Sequence, residues 1–118
     1  DSRNIEVTID EQDIFNVTMN ESLAVALLTN LLKNAFVHNI DEGHIRITVT
    51  KNSITFRNSG VENPLDKEHI FERFYQGTKK EGSTGLGLAI ADSICRLQHL
   101  SIRYYFEQKE HCFEISRQ

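Results

Sequence analysis

With 118 residues, 17 of them acidic and 13 basic, the chain has room for one packed domain and carries a formal net charge of −4. That balance excludes the basic footprint of a nucleic-acid binder, and the one basic pair in the glycine-rich region, Lys79-Lys80, is followed at once by Glu81. No window approaches the roughly 18 apolar residues of a membrane span and Asp1-Ser2-Arg3-Asn4 has no signal-peptide core, so this stretch is expected to make no direct membrane contact.

Ile5, Val7 and Ile9 alternate with polar residues, as do Phe15 and Val17 after the turn-like Glu11-Gln12-Asp13, which predicts two opening strands. Asn20 offers an N-cap with Glu21 in the first turn, and Leu23, Leu27, Leu28, Leu31, Leu32 and Ala35 follow helical spacing to about His38. Asn30 and Asn34 flank that apolar stripe. Beyond Asp41-Glu42-Gly43, the alternation of Ile45, Ile47 and Val49, the turn Lys51-Asn52-Ser53, and Ile54, Phe56 and Asn58 read as a hairpin. Asn58 then points to the same side as two core residues.

From Ser59 to Thr84 regular patterning lapses, apart from a short helical patch at residues 69–74, and a polar loop over residues 75–84 is expected to form a lid. Residues 86–99 read as a helix with Leu88, Ala91, Ile94, Cys95 and Leu97 inward. Ile102, Tyr104 and Phe106, then Cys112 or Phe113 with Ile115, form a closing hairpin around residues 108–110. Cys95 and Cys112, with no CxxC and no histidine at ligand spacing, read as small buried apolar side chains in a reducing compartment, so the expected location is the cytoplasm. These elements predict an α+β fold: a two-layer sandwich whose mixed, mostly antiparallel sheet is covered by helices on one face.

The chemistry concentrates in two places. Gly82, Gly85 and Gly87 stand at the mouth of an apolar helix, where backbone without Cβ atoms can wrap closely around phosphate. The stretch is not a P-loop, lacking a Lys-Ser or Lys-Thr after its last glycine, and its GxxGxG order is the reverse of a dinucleotide fingerprint. Asn30 and Asn34, one helical turn apart, can aim two carboxamides at one ligand, and neutral oxygens suit a Mg²⁺ ion already carried by polyphosphate. Together they read as an ATP·Mg²⁺ site.

Asn30-Leu31-Leu32-Lys33-Asn34-Ala35, Phe71-Glu72-Arg73-Phe74 and the stretch from Gly82 to Leu88 occur in an order that resembles the ATP-binding catalytic domain of bacterial sensor histidine kinases. That domain belongs to the superfamily shared with gyrase, the ninety-kilodalton chaperones and mismatch-repair ATPases. The resemblance covers residues 5–115 and implies the Bergerat-type ATP-binding fold. It implies Asn34 as principal metal ligand with Asn30 in support, and aromatic anchors for the lid with Arg73 reaching the terminal phosphate. It also implies phosphate contacts from Thr84, Gly85, Leu86, Gly87 and Leu88. His38, Phe74 and Tyr75 join the candidate nucleotide-binding set, although His38 reads first as a surface histidine, and Phe74 and Tyr75 can be core residues. In the family an aspartate followed by two spaced glycines reads the adenine amino group. Here Asn58-Ser59-Gly60-Val61-Glu62 keeps an acceptor oxygen at Asn58 and the first glycine at Gly60, and lacks the second.

The resemblance implies transfer of the γ-phosphate to a histidine. None of His38, His44, His69, His99 and His111 precedes the family's phosphoacceptor pattern, so the acceptor is expected on a separate dimerisation domain of the parent chain. A response-regulator receiver domain is the expected downstream partner, and an inner-membrane sensor is one form of the parent. Two alternatives stay open: a nucleotide-sensing module without transfer, and a related protein-serine kinase.

Overall fold

The computed structural model describes residues 3–76 and 84–118, so the middle of the expected lid, including Gly82, lies outside the described residues. Five strands form one sheet in the order β1-β2-β3-β5-β4: β1 Glu6–Glu11, β2 His44–Val49, β3 Ser53–Asn58, β4 Leu100–Glu107 and β5 Glu110–Arg117. Helices α1 Glu21–Val37 and α2 Gly87–Leu97 pack on it. β1 runs parallel to β2 across the α1 crossover, and every other pair is antiparallel, so the sheet is mixed and mostly antiparallel as expected.

Period-two side chains from four strands line up in rows across the helix-facing side. Ile47, Phe56, Phe113 and Tyr104 are successive register partners and form the central row, with Val49, Ile54, Ile115 and Ile102 beside it. Leu27, Leu31, Ala91, Ile94 and Cys95 from the two helices close the core against these rows. The third row, Ile45, Asn58, His111 and Phe106, contains two polar members at the edge of the core.

On the opposite face the sheet covers itself. The buried Glu110 carboxylate accepts from Arg46 at 3.0 Å and pairs with His44 at 2.6 Å, Arg57 donates to Thr48 at 2.9 Å, and Arg103 holds Glu114 while lying over the Tyr105 ring. Long polar side chains of this kind shield the strand backbone without a third layer.

Local signals hold where the chain has a partner to satisfy them. Asn20 Oδ1 accepts the Leu23 N–H at 3.0 Å and starts α1 where its cap predicts. Gln108 and Lys109 both take positive φ, 51° and 62°, giving the two-residue turn that matches strand twist without the usual Asn-Gly.

Three local expectations need correction. Residues 13–20 form no strand: the chain must leave the sheet to reach α1, so Phe15 packs on the core under the Arg117 guanidinium instead of pairing. The patch at 69–74 is a run of turns, with Glu72 N–H bonded to His69 C=O and Tyr75 N–H to Glu72 C=O, each three residues back rather than four. Leu28 and Leu97, expected inside, are exposed, because the buried stripes narrow to Leu27, Leu31 and Ala35 on α1 and to Ala89, Ala91, Ile94 and Cys95 on α2.

Candidate functional site

The end of β3 is fixed by a buried polar junction. Ser59 Oγ donates to Asn39 Oδ1 at 2.6 Å and accepts the His44 N–H at 2.8 Å, while Asn39 Nδ2 donates to the carbonyls of Ala35 and His44. This ties the C-terminal end of α1 to the start of β2 and the end of β3. Gly43 is required there, since a Cβ would stand 2.0 Å from Asn39 Oδ1. Gly60 does the same next door: a Cβ would come within 2.8 Å of the His38 carbonyl and 3.2 Å of the His111 ring.

Asn58 projects from this junction into the interior with 2 % of its surface exposed. Its Nδ2 donates to the Ser59 carbonyl at 2.8 Å, which orients the amide and leaves Oδ1 pointing elsewhere. Among the described residues, Asn58 Oδ1 is the one buried side-chain polar atom without a hydrogen-bond partner. Such an atom costs about 1–3 kcal/mol unless something binds it. Asn58 lines a small chamber of about 40 Å³ whose walls include Val61, Leu65, Ile70 and His111. An unpaired acceptor beside apolar walls suits the amino-bearing edge of a flat heterocycle that lies mostly in the adjoining space.

The chamber shares Asn34, His38, Tyr75 and Leu88 with a wider, open cleft of about 200 Å³. Asn30 and Asn34 line one side of that cleft; Thr84, Gly85, Leu86, Gly87 and Leu88 line the other. The two sides meet closely, for a Cβ on Gly87 would lie 3.1 Å from Asn30 Oδ1. Asn30 Nδ2 donates back to the Ala26 carbonyl at 2.8 Å, so its oxygen is the atom turned to α2. No side chain caps the N-terminus of α2 and no acidic residue stands in its first turn, which leaves backbone N–H groups and the positive end of the helix dipole available to an anion. Thr84 Oγ1 accepts the Leu86 N–H at 3.3 Å.

The rim between the two helices is built from left-handed backbone. Gly85 has φ +73°, and its carbonyl accepts the Phe74 N–H at 2.6 Å; a Cβ there would strike the Phe74 backbone at 2.7 Å. Phe74 itself has φ 65°, a strained setting for a bulky residue. Tyr75 follows, lines both chamber and cleft, and accepts the Asp66 N–H at 3.4 Å.

Of the residues expected from sequence, Asn30, Asn34, His38, Tyr75, Thr84, Gly85, Leu86, Gly87 and Leu88 all lie on the cleft, and Asn58 on the inner chamber. Gly60 sits behind the wall rather than on it. Arg73 and Phe74 are not brought to the cleft: both are exposed, with the guanidinium 5.5 Å from the Phe74 ring centre.

Sequence patterning missed Lys33, Val37 and Ile90 on the cleft, and Val61, Leu65, Ile70, Gln76 and His111 on the chamber. For His111 a signal was present. It alternates with Phe113 and Ile115, so it had to point inward beside them. Burial lowers its pKa against the opposing effect of the Val61 carbonyl, which keeps the ring neutral. Cys95 and Cys112 are free and buried, and burial pushes both thiols up to about 11, so neither is a nucleophile.

Residues 19–116 match the family described as histidine kinase-, DNA gyrase B-, and HSP90-like ATPase. The heme sensor protein HssS of Staphylococcus aureus (strain JH9) is 35% identical over 109 residues, which is 88% of this chain and 24% of HssS. The sensor histidine kinase RppB of Synechocystis sp. is 42% identical over 84 residues, 64% of this chain and 18% of RppB. The chain therefore spans a quarter or less of the length of these curated relatives. Among solved structures, the catalytic domain of histidine kinase ThkA superposes with a TM-score of 0.80 at 26% identity, covering 96% of this chain and 78% of that one. A further structure holds ThkA in complex with the response regulator protein TrrA, at 24% identity and a TM-score of 0.75, covering 96% of this chain and 34% of that one.

Proposed function

The chain belongs to the histidine kinase-, DNA gyrase B- and HSP90-like ATPases, and from that premise we propose that it is the catalytic domain of a sensor histidine kinase, binding ATP·Mg²⁺ and presenting the γ-phosphate to a histidine on a separate dimerisation domain. The observation that carries the reading is the buried oxygen Asn58 Oδ1, the one without a hydrogen-bond partner among the described residues, on a residue lining a chamber that shares four residues with the asparagine- and glycine-lined cleft. An adenine amino group is the donor that atom lacks. The triphosphate then extends between α1 and the uncapped start of α2, where backbone N–H groups receive it.

The donor set also fits the metal. Asn34 and Asn30 offer carboxamide oxygens beside the phosphate path, and Mg²⁺ takes few protein ligands when phosphate oxygens supply the rest. Bound there, the ion neutralises charge that develops on the transferring group. Lys33, on the same side of the cleft, adds a cation near the phosphates. Thr84 and the glycines after it hold the chain close to the polyphosphate, and Tyr75 closes the side between base and phosphates. Arg73 is assigned no contact with nucleotide in this arrangement, since its guanidinium rests on Phe74.

The acceptor histidine lies in another part of the parent protein, and a response-regulator receiver domain takes the phosphoryl group from it. The complex of ThkA with a response regulator supports that partner class. No helix among the described residues is long and apolar enough to cross a membrane. The domain is proposed to work in the cytoplasm, on a parent that is an inner-membrane sensor.

Calorimetric titration with a non-hydrolysable ATP analogue, with and without Mg²⁺, tests the site. Saturable 1:1 binding that tightens with the metal is expected, and no heat at millimolar analogue would overturn the reading. Adding the dimerisation domain tests transfer: an acid-labile phosphoprotein is expected, and an acid-stable one would point to serine.

A further inference from the structure

The segment 61–65, which follows the single glycine Gly60, has no regular structure, yet it forms one wall of the base chamber. Two side chains of the β4-β5 hairpin hold its ends. His111 Nε2 lies 2.6 Å from the Val61 carbonyl, and Tyr104 Oη accepts the Leu65 N–H at 3.0 Å. The two side chains are joined to each other, Tyr104 Oη to His111 Nδ1, at 2.7 Å.

The protons in this chain have one consistent arrangement. A carbonyl only accepts, so Nε2 of His111 carries the hydrogen and donates it to Val61. The Nδ1 of that tautomer accepts, so Tyr104 donates its hydroxyl hydrogen to His111 while receiving the Leu65 N–H on its lone pair. Every donor and acceptor in the set is used once, and both side chains are buried, His111 with 4 % of its surface exposed. His111 is also the register partner of Asn58 on the neighbouring strand. The wall and the acceptor on the floor therefore share one support.

We propose that Tyr104 and His111 form a clamp that sets segment 61–65 against the sheet, making both positioning residues that hold the base over Asn58 Oδ1. The inference rests on the nucleotide-site reading above and deepens it. Where a second glycine would let backbone turn closely beneath the base, this chain fixes an ordinary loop with side-chain hydrogen bonds from a hairpin distant in sequence. Without the clamp the wall occupies several positions, and the fraction of molecules able to seat the base against Asn58 falls.

The test compares a non-hydrolysable ATP analogue with its purine-riboside counterpart lacking the 6-amino group, both as magnesium complexes. Wild-type protein is expected to prefer the amino-bearing analogue by about tenfold, the worth of one hydrogen bond. In Tyr104→Phe and His111→Phe that preference should shrink to less than about twofold. A preference unchanged in the variants, with both affinities intact or both reduced in parallel, would overturn the clamp. Should His111→Phe fail to fold, Tyr104→Phe, which removes a single oxygen, decides the matter alone. Wild-type protein that binds neither analogue would remove the nucleotide reading, and the clamp with it; wild-type protein that binds both equally would overturn the clamp alone.

Discussion

The base end and the phosphate end of the site are built by opposite means. At the base end, hydrogen bonds among Asn39, His44 and Ser59 tie α1 to β2 and β3, Asn58 is held by its neighbour Ser59, and Tyr104 and His111 bond each other and the loop at 61–65. At the phosphate end, Phe74 and Gly85 hold each other through one backbone bond and positive φ, and α2 begins without a cap. The first region belongs to the fold and contributes one unpaired oxygen; the second is backbone left open for a ligand. Damage at the base-end junction should therefore appear as lost stability, and damage at the phosphate end as lost binding.

The largest expected effect breaks the junction itself. Gly43→Ala puts a methyl group into Asn39 Oδ1 and should destabilise the fold by about 3 kcal/mol in urea or thermal unfolding, by separating a buried polar network. A loss below about 0.5 kcal/mol would show that the junction gives way easily and erase the contrast.

Asn58→Leu comes next and separates fold from function at one residue. It removes the unpaired oxygen along with the bond to Ser59, so stability should stay within about 1 kcal/mol of wild type. Affinity for the ATP analogue should drop on the order of thirtyfold, since the base then meets no acceptor. Equal affinity would take Asn58 out of the site.

At the phosphate end, Gly85→Ala should weaken analogue binding by about tenfold and cost roughly 1 kcal/mol of stability, because the left-handed rim must shift away from Phe74. A stability loss as large as that of Gly43→Ala would mean that the rim also belongs to the rigid part of the fold.

The smallest effect is a pH slope. His111 has a folded pKa depressed by burial, so the unfolded chain binds its proton more readily than the folded one. Stability contributed by neutral His111 is complete above the ordinary histidine value of about 6.5 and declines as pH falls from there toward the depressed folded value. Subtracting the pH profile of His111→Phe from that of wild type should expose this rise with pH; a flat difference would show that the ring is not held neutral.

How far the sequence could be read follows the same division. Elements with local grammar were legible: the Asn20 cap and the leucine spacing of α1, the hairpin of β2 and β3, and the glycines before α2. The inward direction of Asn58 followed from alternation with Ile54 and Phe56. Phe15 and Val17 carry a strand pattern but meet no strand to pair with, and the turns through Phe74 mimic helical spacing three residues at a time. Leu97 obeys the period of α2, yet it is the helix's last residue and stands exposed. The Asn39–Ser59 bond joins residues 20 apart, and the loop contacts of Tyr104 and His111 join residues 39 and 50 apart, so local periodicity has no means of finding them. Arg73 shows the reverse: its position within a motif suggested phosphate, and its neighbour Phe74 holds it on the surface.

The central claim is that one nucleotide touches the base-end acceptor, the asparagine helix and the glycine-lined start of α2 together. The direct measurement is a titration of ¹⁵N-labelled protein with a non-hydrolysable ATP analogue and Mg²⁺, followed by NMR. The side-chain amides of Asn58, Asn30 and Asn34 and the backbone amides of Gly85, Gly87 and Leu88 should move together along one binding curve. Shifts confined to one of these groups, or curves with different midpoints, would contradict a shared ligand.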